Sequence, residues 1–291
     1  MNNILITGCG GMLGEALYNT LKSKEELNII ATDIDLNEEW LKYLDVRKLS
    51  DCEKYINGKI DIVFHLAALT DLEYCEKNIE NSWMTNALGT ENIGMLCNKY
   101  NIPMVYISTA GIFDGKQDIY NDFDEPNPLS IYARSKYYGE KYVKYTVKKH
   151  YIFRAGWMMG GNKDKKFVKK ILKQIDDGKT TINVVDDKLG TPTYTYDFVK
   201  NMFCILEKEY YGLYNMVCDG DCSRYDIAKE IIDFLKLNVR INKVDSDYFK
   251  VEYFAPRPYS EKLINLKLKE RKINKMRDWK TCLHENLNKL K

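Results

Sequence analysis

Short apolar runs alternate with segments of helical spacing through the first half of the chain. The runs NILIT, NIIATD, DIVFHLAA, MVYIST and HYIFRA are apolar at most positions, as strands buried on both faces are. Between them, GMLGEALYNTLKS repeats apolar residues at helical spacing, and NSWMTNALGTENIGMLCNKY is predicted to form a long helix. This alternation predicts the α/β class, with a doubly wound parallel (Rossmann) sheet.

A second long helix is predicted for NPLSIYARSKYYGEKYVKYTVKK, where prolines precede the start and Ser130 is a suitable N-cap. Further along, the alternation is less regular, with helices in DKKFVKKILKQIDDG, TYDFVKNMFCILEKE and SRYDIAKEIIDFL and strands in INVVDD and GLYNMV. We therefore expect a dinucleotide-binding domain over residues 1–155, to which 185–215 returns. A smaller, mostly C-terminal α/β substrate lobe would consist of 156–184 and 216–291.

Composition argues against several classes of function. The 291 residues carry 44 basic and 42 acidic side chains, a net charge of +2, which gives no general attraction to nucleic acid or to an anionic membrane. No apolar run approaches the roughly 18–20 residues that span a bilayer, and MNNILITG lacks the features of a signal peptide, so we expect a cytoplasmic protein. The eight cysteines form no CxxC pair and the three histidines lie apart, which argues against a metal site.

A glycine-rich turn joins the first strand to the first helix in ITGCGGMLGEAL. Gly8, Gly11 and Gly14 would let the turn tighten and the backbone approach a pyrophosphate, while free N–H groups at the helix start, at Met12 and Leu13, favour an anion. Glycine turns also join strands to helices for steric reasons alone. Here the position between a predicted strand and a predicted helix indicates dinucleotide binding.

The second predicted strand ends in Asp33, 19 residues after Gly14, where an acid can bind the hydroxyls of the adenosine ribose. Asp35 in the same DID stretch is an alternative, and either acid could simply lie in a loop. An Asp here would repel a 2′-phosphate, and no Arg lies beside it. NAD(H) is therefore favoured, and NADP(H) is possible.

Two more stretches are candidates for contact with the cofactor. Asp45 and Val46 in LDVRKL could cap the adenine edge, or could simply begin a polar helix. In HLAALTD, Leu66, Ala67 and Ala68 follow the third strand, and the small alanines would let the backbone lie against the cofactor. Small residues also serve strand–helix packing, which is the alternative.

The stretch SIYARSKYYGEK carries the most specific candidate chemistry. A Tyr followed by Lys four residues later occurs seven times in this chain, so that spacing alone says little. Tyr132 and Lys136 differ from the other pairs because a proline-bounded helix start precedes them and Thr109 ends a predicted strand 23 residues earlier. Residues i and i+4 lie on one face of a helix, so both could point at one ligand. A pair on a surface helix is the alternative.

Together these motifs resemble the extended short-chain dehydrogenase/reductase superfamily and, in finer detail, the dTDP-4-dehydrorhamnose reductase family. The matching pieces are GMLG, AALTDLEYCE, ISTxxxFDG, EPNPLSIYARSKYYGE, IFRAGWMMG, GTPTYT and APRPYSEKL, in this order between residue 3 and about residue 268. Each piece is a weak or moderate signal, whereas their order and spacing are specific.

The resemblance implies that a nicotinamide cofactor reduces C4 of a nucleotide-linked 4-keto-6-deoxy sugar. Tyr132 would be the general acid, Thr109 the hydroxyl that holds the keto oxygen, and Lys136 the partner of Tyr132 and a ligand of the ribose. A Tyr has an unperturbed pKa near ~10, and an ammonium about 4 Å away interacts with its charged form by ~4 kcal/mol at an effective dielectric of ~20. We therefore expect Lys136 to lower the pKa of Tyr132 towards neutrality, as acid–base catalysis prefers.

The resemblance assigns further residues to the site. Asn86 would position Lys136 and Ser108 would line the cofactor, although each could serve packing alone. Trp157 would face the sugar unless it belongs to the core, and Thr70 would contact the substrate. Arg257 in APRP would bind the nucleotide phosphates unless it pairs with a surface acid. A nucleotide sugar is thus the expected partner, and a homodimer is possible.

The chain departs from the reductase pattern at two places where the sugar should lie. Ala110 and Gly111 stand where Asp-Tyr usually follows the catalytic Thr, and Glu261 stands where a Ser is common after the RP element. The first departure removes hydrogen-bonding groups and should open volume, so we expect a different or larger sugar.

Two other functions fit the same framework. A nucleotide-sugar epimerase shares the catalytic residues but recycles a tightly held NAD. A regulatory subunit would bind the cofactor without turnover, and such subunits often lose the catalytic residues that this chain keeps. A 4,6-dehydratase is disfavoured, because that class typically has Asp-Glu where Ala110 and Gly111 stand.

Overall fold

Seven parallel strands form the central sheet of the computed structural model, which describes residues 2–164 and 166–290. In chain order the strands are β1 (Asn3–Thr7), β2 (Asn28–Asp33), β3 (Lys42–Tyr43), β4 (Ile62–His65), β5 (Met104–Thr109), β6 (His150–Ala155), β7 (Trp157–Met159), β8 (Thr181–Val185), β9 (Leu189–Gly190), β10 (Pro192–Tyr194), β11 (Gly212–Asn215), β12 (Cys222–Ser223), β13 (Arg240–Val244) and β14 (Ser260–Glu261). The central sheet has the order β11-β6-β5-β4-β1-β2-β3. The chain runs from β1 out to β3 and then returns through β4 to the other edge. The sheet is therefore doubly wound, and the predicted α/β class is confirmed.

Every helix predicted from the sequence is present, with one local difference, and further helices lie in segments for which no helix was specified. The helices are α1 (Met12–Leu21), α2 (Leu49–Tyr55), α3 (Leu72–Lys77), α4 (Ile79–Trp83), α5 (Gly89–Lys99), α6 (Ile131–Thr146), α7 (Phe167–Asp176), α8 (Thr195–Leu206), α9 (Arg224–Leu235), α10 (Leu266–Glu270) and α11 (Trp279–Leu290). Single 3₁₀ turns cover Ala110–Ile112 and Ser246–Phe249. The long helix predicted for residues 81–100 contains a wider π-helical turn, Met84–Leu88, which joins α4 to α5. Across residues 2–164 and 166–290, no helix has both the length and the apolar character that crossing a membrane requires.

Alternate residues of the strands face two separate cores, one on each side of the sheet. Ile4 and Ile6 of β1 belong to the same core as Leu17 of α1, whereas Leu5 belongs to the other core with Ile93 of α5. All five side chains are completely buried, and full burial of one such side chain stabilises a fold by roughly 1.5–3 kcal/mol. Helices thus cover both faces of the sheet, as apolar runs without polar alternation require.

Smaller sheets lie outside the central one. Strand β9 pairs with β12 and β14, which places Glu261 beside Gly190, while β7 pairs with β10 and β8 with β13. Strand β11 joins the central sheet beside β6 although it comes late in the chain. The division into a dinucleotide-binding domain and a substrate lobe stays a prediction.

Helix α6 packs closely against β5 and the π-helical turn. A Cβ at Gly139 would lie 2.7 Å from the hydroxyl oxygen of Tyr106 and 2.9 Å from the carbonyl oxygen of Asn86, so only glycine allows this approach. One residue further on, Glu140 accepts two hydrogen bonds from the guanidinium of Arg154 on β6, at 2.6 and 3.1 Å. The side chains of Arg154 and Glu140 are only 3% and 1% exposed, so this ion pair fixes the helix to the sheet from inside the protein.

Removing the charge of Glu140 should therefore destabilise the fold. Glu140→Gln leaves the buried guanidinium of Arg154 without a counter-charge, and breaking such a pair costs roughly 3–5 kcal/mol. Urea unfolding measures the loss. Lys54→Gln, which removes the exposed ammonium that pairs with Asp51, is the control and should have a much smaller effect on the unfolding midpoint. Equal effects of the two substitutions would contradict a structural role for the buried pair.

Candidate active site

The turn between β1 and α1 is shaped by glycines that no other residue can replace without a clash. Gly8 has a φ of +68°, and a Cβ on it would lie 2.5 Å from the backbone nitrogen of Ala67. A Cβ on Gly14 would lie 2.4 Å from the carbonyl oxygen of Cys9. Gly11 is the N-cap of α1 and provides no side-chain cap. The N–H groups of the first helical turn, which begins with Met12 and Leu13, therefore remain available to an anion.

Asp33 lies directly beside this turn. Its Oδ2 accepts a hydrogen bond from the backbone N–H of Gly10 at 2.9 Å, and its Oδ1 accepts one from the N–H of Asp35 at 3.1 Å. The side chain of Asp33 is half-buried, whereas Asp35 is exposed. Of the two acids, Asp33 is thus the one in contact with the glycine turn. A glycine cradle, an open helix N-terminus and an adjacent acid together fit a dinucleotide.

The side chains of Asp45 and Val46 both contact other residues of the protein. The carboxylate of Asp45 accepts hydrogen bonds from Nε and Nη2 of Arg47, both at 2.8 Å, and the pKa of Asp45 is lowered chiefly by these bonds. Val46 is buried, and its methyl groups lie where a side chain at Gly89 would be. Contact of these two side chains with adenine stays a prediction.

The loop after β4 is tied to helix α6 by Asn86. The amide of Asn86 accepts from the N–H of Leu69 at 2.8 Å and donates to the carbonyl oxygen of Leu69 at 3.0 Å. It also donates to the hydroxyl of Ser135 at 3.0 Å, one residue before Lys136. Asn86 thus positions α6 rather than contacting Lys136. The loop residues Leu66, Ala67 and Ala68 are half-exposed beside the glycine turn.

Tyr132 lies in the first turn of α6, and its position is set by capping. The hydroxyl of Ser130 accepts from the N–H of Ala133 at 3.2 Å, as the predicted N-cap should. The carboxylate of Glu76 accepts from the N–H of Ile131 at 2.7 Å. The side chain of Tyr132 is hydrogen-bonded to that of Thr109, which also accepts from the N–H of Gly111 at 3.1 Å. The two predicted catalytic residues therefore touch.

Lys136 is buried one turn further along the same helix. Its ammonium nitrogen lies 4.2 Å from the ring centroid of Tyr106, whose hydroxyl donates to the carbonyl oxygen of Lys136 at 2.8 Å. Burial lowers the pKa of Lys136 to about 7, and the charge of Glu140 opposes this shift. Nearby, burial lowers the pKa of His65 to about 3, so that its neutral ring bridges Thr7 and Thr90 instead of reacting.

The predicted effect of Lys136 on the pKa of Tyr132 is wrong. Burial raises the pKa of Tyr132 to about 12, against the hydrogen bond with Thr109, and the charge of Glu261 raises it further. Burial disfavours the charged forms of both side chains. It therefore disfavours the Lys136 ammonium, which was expected to stabilise a tyrosinate at Tyr132. The ammonium also lies over the ring of Tyr106.

The region predicted for the sugar differs from expectation. Ala110 is buried in a small apolar cluster with Ile112 and Phe113, so its methyl group belongs to a core. Beside Gly111 the volume is not open, because the carboxylate of Glu261 occupies it. That carboxylate also accepts from Nε1 of Trp157 at 2.6 Å. Loss of the two usual side chains therefore does not enlarge the site at this point.

Three other predicted residues have different surroundings. Thr70 is exposed and accepts from the ammonium of Lys166 at 3.3 Å. Ser108 is buried, and its hydroxyl has no hydrogen-bond partner among the described residues, which leaves it for a ligand or a water. Arg257 pairs with Glu73 at 2.7 Å and donates to the carbonyl oxygen of Ala255 at 2.9 Å. The alternative that Arg257 pairs with an acid therefore applies here.

Arg224 is a site residue that the sequence analysis missed. It begins α9, is half-buried, and places its guanidinium carbon 3.7 Å from the ring centroid of Trp157. In the described part of the chain it forms no hydrogen bond and no ion pair. Burial lowers the pKa of Arg224 to about 10. No sequence signal marks it, since an Arg at the start of an amphipathic helix is typical of a surface position.

Comparisons with known proteins agree with this geometry. The family described as RmlD substrate binding domain matches residues 1–291. The spore coat polysaccharide biosynthesis protein SpsK of Bacillus subtilis is 30% identical over 288 residues, which cover 99% of this chain and 97% of that protein.

Solved structures resemble the whole chain. A dTDP-4-dehydrorhamnose reductase from Clostridium acetobutylicum has a TM-score of 0.90 and 32% identity and covers 99% of each chain. The dTDP-4-dehydrorhamnose reductase of Bacillus anthracis, solved with NADP, has a TM-score of 0.91 and 29% identity over 99% of this chain and 100% of that one. A UDP-glucose 4-epimerase of Thermus thermophilus, solved with NAD, has a TM-score of 0.82 at 17% identity over 98% of each chain, which shows a likeness of fold alone.

The buried Lys136 predicts a pH dependence of stability. Its pKa is about 7 in the folded protein and 10.5 in an unfolded chain, so between these values the unfolded chain binds more protons. Lys136 therefore makes the free energy of unfolding rise with pH between about 7 and 10.5. Below pH 7 the folded protein carries the buried ammonium, and the full destabilisation by this charge is present.

Lys136→Met, which keeps the length of the side chain, should be more stable than the native protein at pH 6 by on the order of 3 kcal/mol. The difference should shrink as the pH approaches 10. Urea unfolding of both proteins at pH 6, 8 and 10, without cofactor, measures it. A difference that does not change with pH would contradict the lowered pKa.

Proposed function

The chain belongs to the RmlD substrate binding domain family, and from that membership we propose that it reduces a dTDP-linked 4-keto-6-deoxy sugar at C4. The predicted likeness to the extended short-chain dehydrogenase/reductases, and to the dTDP-4-dehydrorhamnose reductases among them, is confirmed. The protein is an NAD(P)-dependent oxidoreductase acting on a nucleotide sugar.

The observation that carries the proposal is the contact of Thr109 with Tyr132, one helical turn before a buried Lys136. With a pKa of about 12, Tyr132 is protonated at neutral pH and has a proton to give. Thr109 holds the keto oxygen by its hydroxyl, and Tyr132 protonates that oxygen as negative charge develops on it. Lys136 lies on the same helix face, buried over the ring of Tyr106, where its side chain would hold the ribose hydroxyls of the cofactor.

The proposed cofactor site lies at the glycine turn, the start of α1 and Asp33. The Gly8–Gly14 turn and the start of α1 hold the pyrophosphate, and Asp33 holds the adenosine ribose. When bound there, a nicotinamide cofactor supplies the hydride for the reduction. Asp33 makes the ribose end acidic, and the ammonium of Lys163 is already paired with Glu38. A 2′-phosphate would meet repulsion, so NADH is the proposed cofactor.

The diphosphate of the substrate needs a cation close to Trp157. Arg257 is paired with Glu73, whereas Arg224 makes no hydrogen bond or ion pair with the residues that the structure describes and lies over the indole of Trp157. A guanidinium that is half-buried without a partner pays a desolvation cost that an anionic ligand would offset. We assign the phosphate contact to Arg224, with Trp157 against the sugar.

The alternatives have less support. The epimerase likeness rests on fold alone, at 17% identity, whereas the reductases reach 32% over the whole chain. A subunit without turnover would have no need of a Tyr–Thr contact beside a buried Lys. A cytoplasmic location and a homodimer stay predictions.

Replacing the proposed acid should abolish reduction and leave binding intact. Tyr132→Phe removes only the hydroxyl, so kcat for NADH oxidation with the dTDP-4-keto-6-deoxy sugar should fall by roughly 10²–10⁴-fold. Affinity for NADH, measured by fluorescence titration, should not change. Tyr145→Phe makes the same change at a position on α6 that is 75% exposed, and it should retain native turnover. Full activity of Tyr132→Phe would exclude Tyr132 as the acid.

The choice of cofactor should depend on Asp33 and not on Asp35. Asp33→Ser removes a charged acceptor of the ribose hydroxyls and the repulsion of a 2′-phosphate. The ratio of kcat/KM for NADH to that for NADPH should therefore fall by about 10-fold or more. Asp35→Ser is the control and should keep the native ratio. An effect confined to Asp35→Ser would show that the wrong acid was assigned.

A further inference from the structure

Glu261 brings a carboxylate to the place where the catalytic residues meet. It lies on β14, half-buried, and its backbone pairs with Gly190 of β9. Its Oε2 accepts from Nε1 of Trp157 at 2.6 Å. Within residues 2–164 and 166–290, Trp157 is the only hydrogen-bond donor to this side chain. The indole therefore fixes the carboxylate, and Oε1 is left for another donor.

The absence of a side chain at Gly111 makes room for this carboxylate. A Cβ on Gly111 would lie 3.1 Å from Oε1 of Glu261 and 3.5 Å from the hydroxyl oxygen of Thr109. The carboxylate and the Thr109 hydroxyl thus face the same small volume. Gly111 and Glu261 are far apart in the sequence but lie side by side in the structure.

The charge of Glu261 reaches the proposed acid. Burial is the main reason why the pKa of Tyr132 is raised, and the charge of Glu261 acts in the same direction, against the hydrogen bond with Thr109. Arg224 is the cation close to Glu261 and attracts it across the indole of Trp157. Glu261 is therefore a member of the reaction site and not a surface acid.

We propose that Glu261 is a specificity-determining residue, whose Oε1 accepts a hydrogen bond from the sugar hydroxyl on the carbon next to the reacting ketone. The proposal rests on the function given above. In a 4-keto-6-deoxy sugar that hydroxyl is on C3, since C5 carries the ring oxygen and the methyl group. An ionised carboxylate can only accept, so the site selects a donor at C3. An analogue without that hydroxyl leaves Oε1 of the carboxylate without a donor.

The test compares a dTDP-4-keto-6-deoxy sugar with its 3-deoxy analogue at saturating NADH. The native protein should prefer the 3-hydroxy sugar in kcat/KM by about 10- to 100-fold. In Glu261→Ala the preference should approach one, because only the 3-hydroxy sugar loses a contact. If Glu261 merely supports Trp157, activity with both sugars falls together and the preference stays native, which would overturn the proposal.

Two further variants keep the test decisive. Asp118→Asn removes an exposed carboxylate that pairs with Lys262, next to Glu261 in the chain, and should keep the native preference. If Glu261→Ala does not fold, Glu261→Gln keeps the size of the side chain and loses the charge. Its preference should fall several-fold, since an uncharged acceptor makes a weaker bond. An unchanged preference would again overturn the proposal.

Calorimetry gives a readout that does not need turnover. Glu261→Gln should weaken binding of the reduced dTDP-6-deoxy sugar and leave binding of dTDP unchanged, because dTDP lacks the sugar. Equal affinities of both proteins for the sugar nucleotide would contradict a contact with the hydroxyl. A native protein that reduces neither sugar contradicts the proposed function itself, whereas equal reduction of both contradicts only the role of Glu261.

Discussion

Helix α6 can lie against the sheet only because residue 139 has no side chain. A Cβ there would lie 2.7 Å from the hydroxyl oxygen of Tyr106 and 2.9 Å from a backbone oxygen of Asn86. This close approach buries Lys136 over the ring of Tyr106 and brings Tyr132 to Thr109 at the end of β5. A helix held further out would leave the same Tyr-x-x-x-Lys spacing on a surface.

The close packing of α6 against the sheet determines the protonation states of Tyr132 and Lys136. Burial raises the pKa of Tyr132 and lowers that of Lys136, so each side chain is driven towards its neutral form. A protonated tyrosine suits a reductase, which must deliver a proton to a developing alkoxide. The substrate side adds charges of both signs around Trp157, with Glu261 on its N–H and Arg224 over its ring.

Sequence patterns predicted the features of the fold and the site that depend on residues close together in the chain. Apolar runs marked every strand of the central sheet except β3, glycine spacing marked the turn, and Ser130 marked the start of α6. These patterns could not predict that Gly111 and Glu261 share one volume, because only the folded chain brings the turn after β5 beside β14. Arg224 could not be predicted for a similar reason. The pKa of Tyr132 was predicted in the wrong direction because burial outweighs the hydrogen bond with Thr109.

The central claim is that this arrangement reduces a sugar ketone at C4. Transfer of deuterium tests it most directly, with NADH deuterated at C4 of the nicotinamide and a dTDP-4-keto-6-deoxy sugar as the acceptor. The account predicts that one deuterium appears at C4 of the sugar for each cofactor oxidised, by mass spectrometry and NMR. Conversion of the sugar without net oxidation of the cofactor, or a product without deuterium at C4, would contradict it.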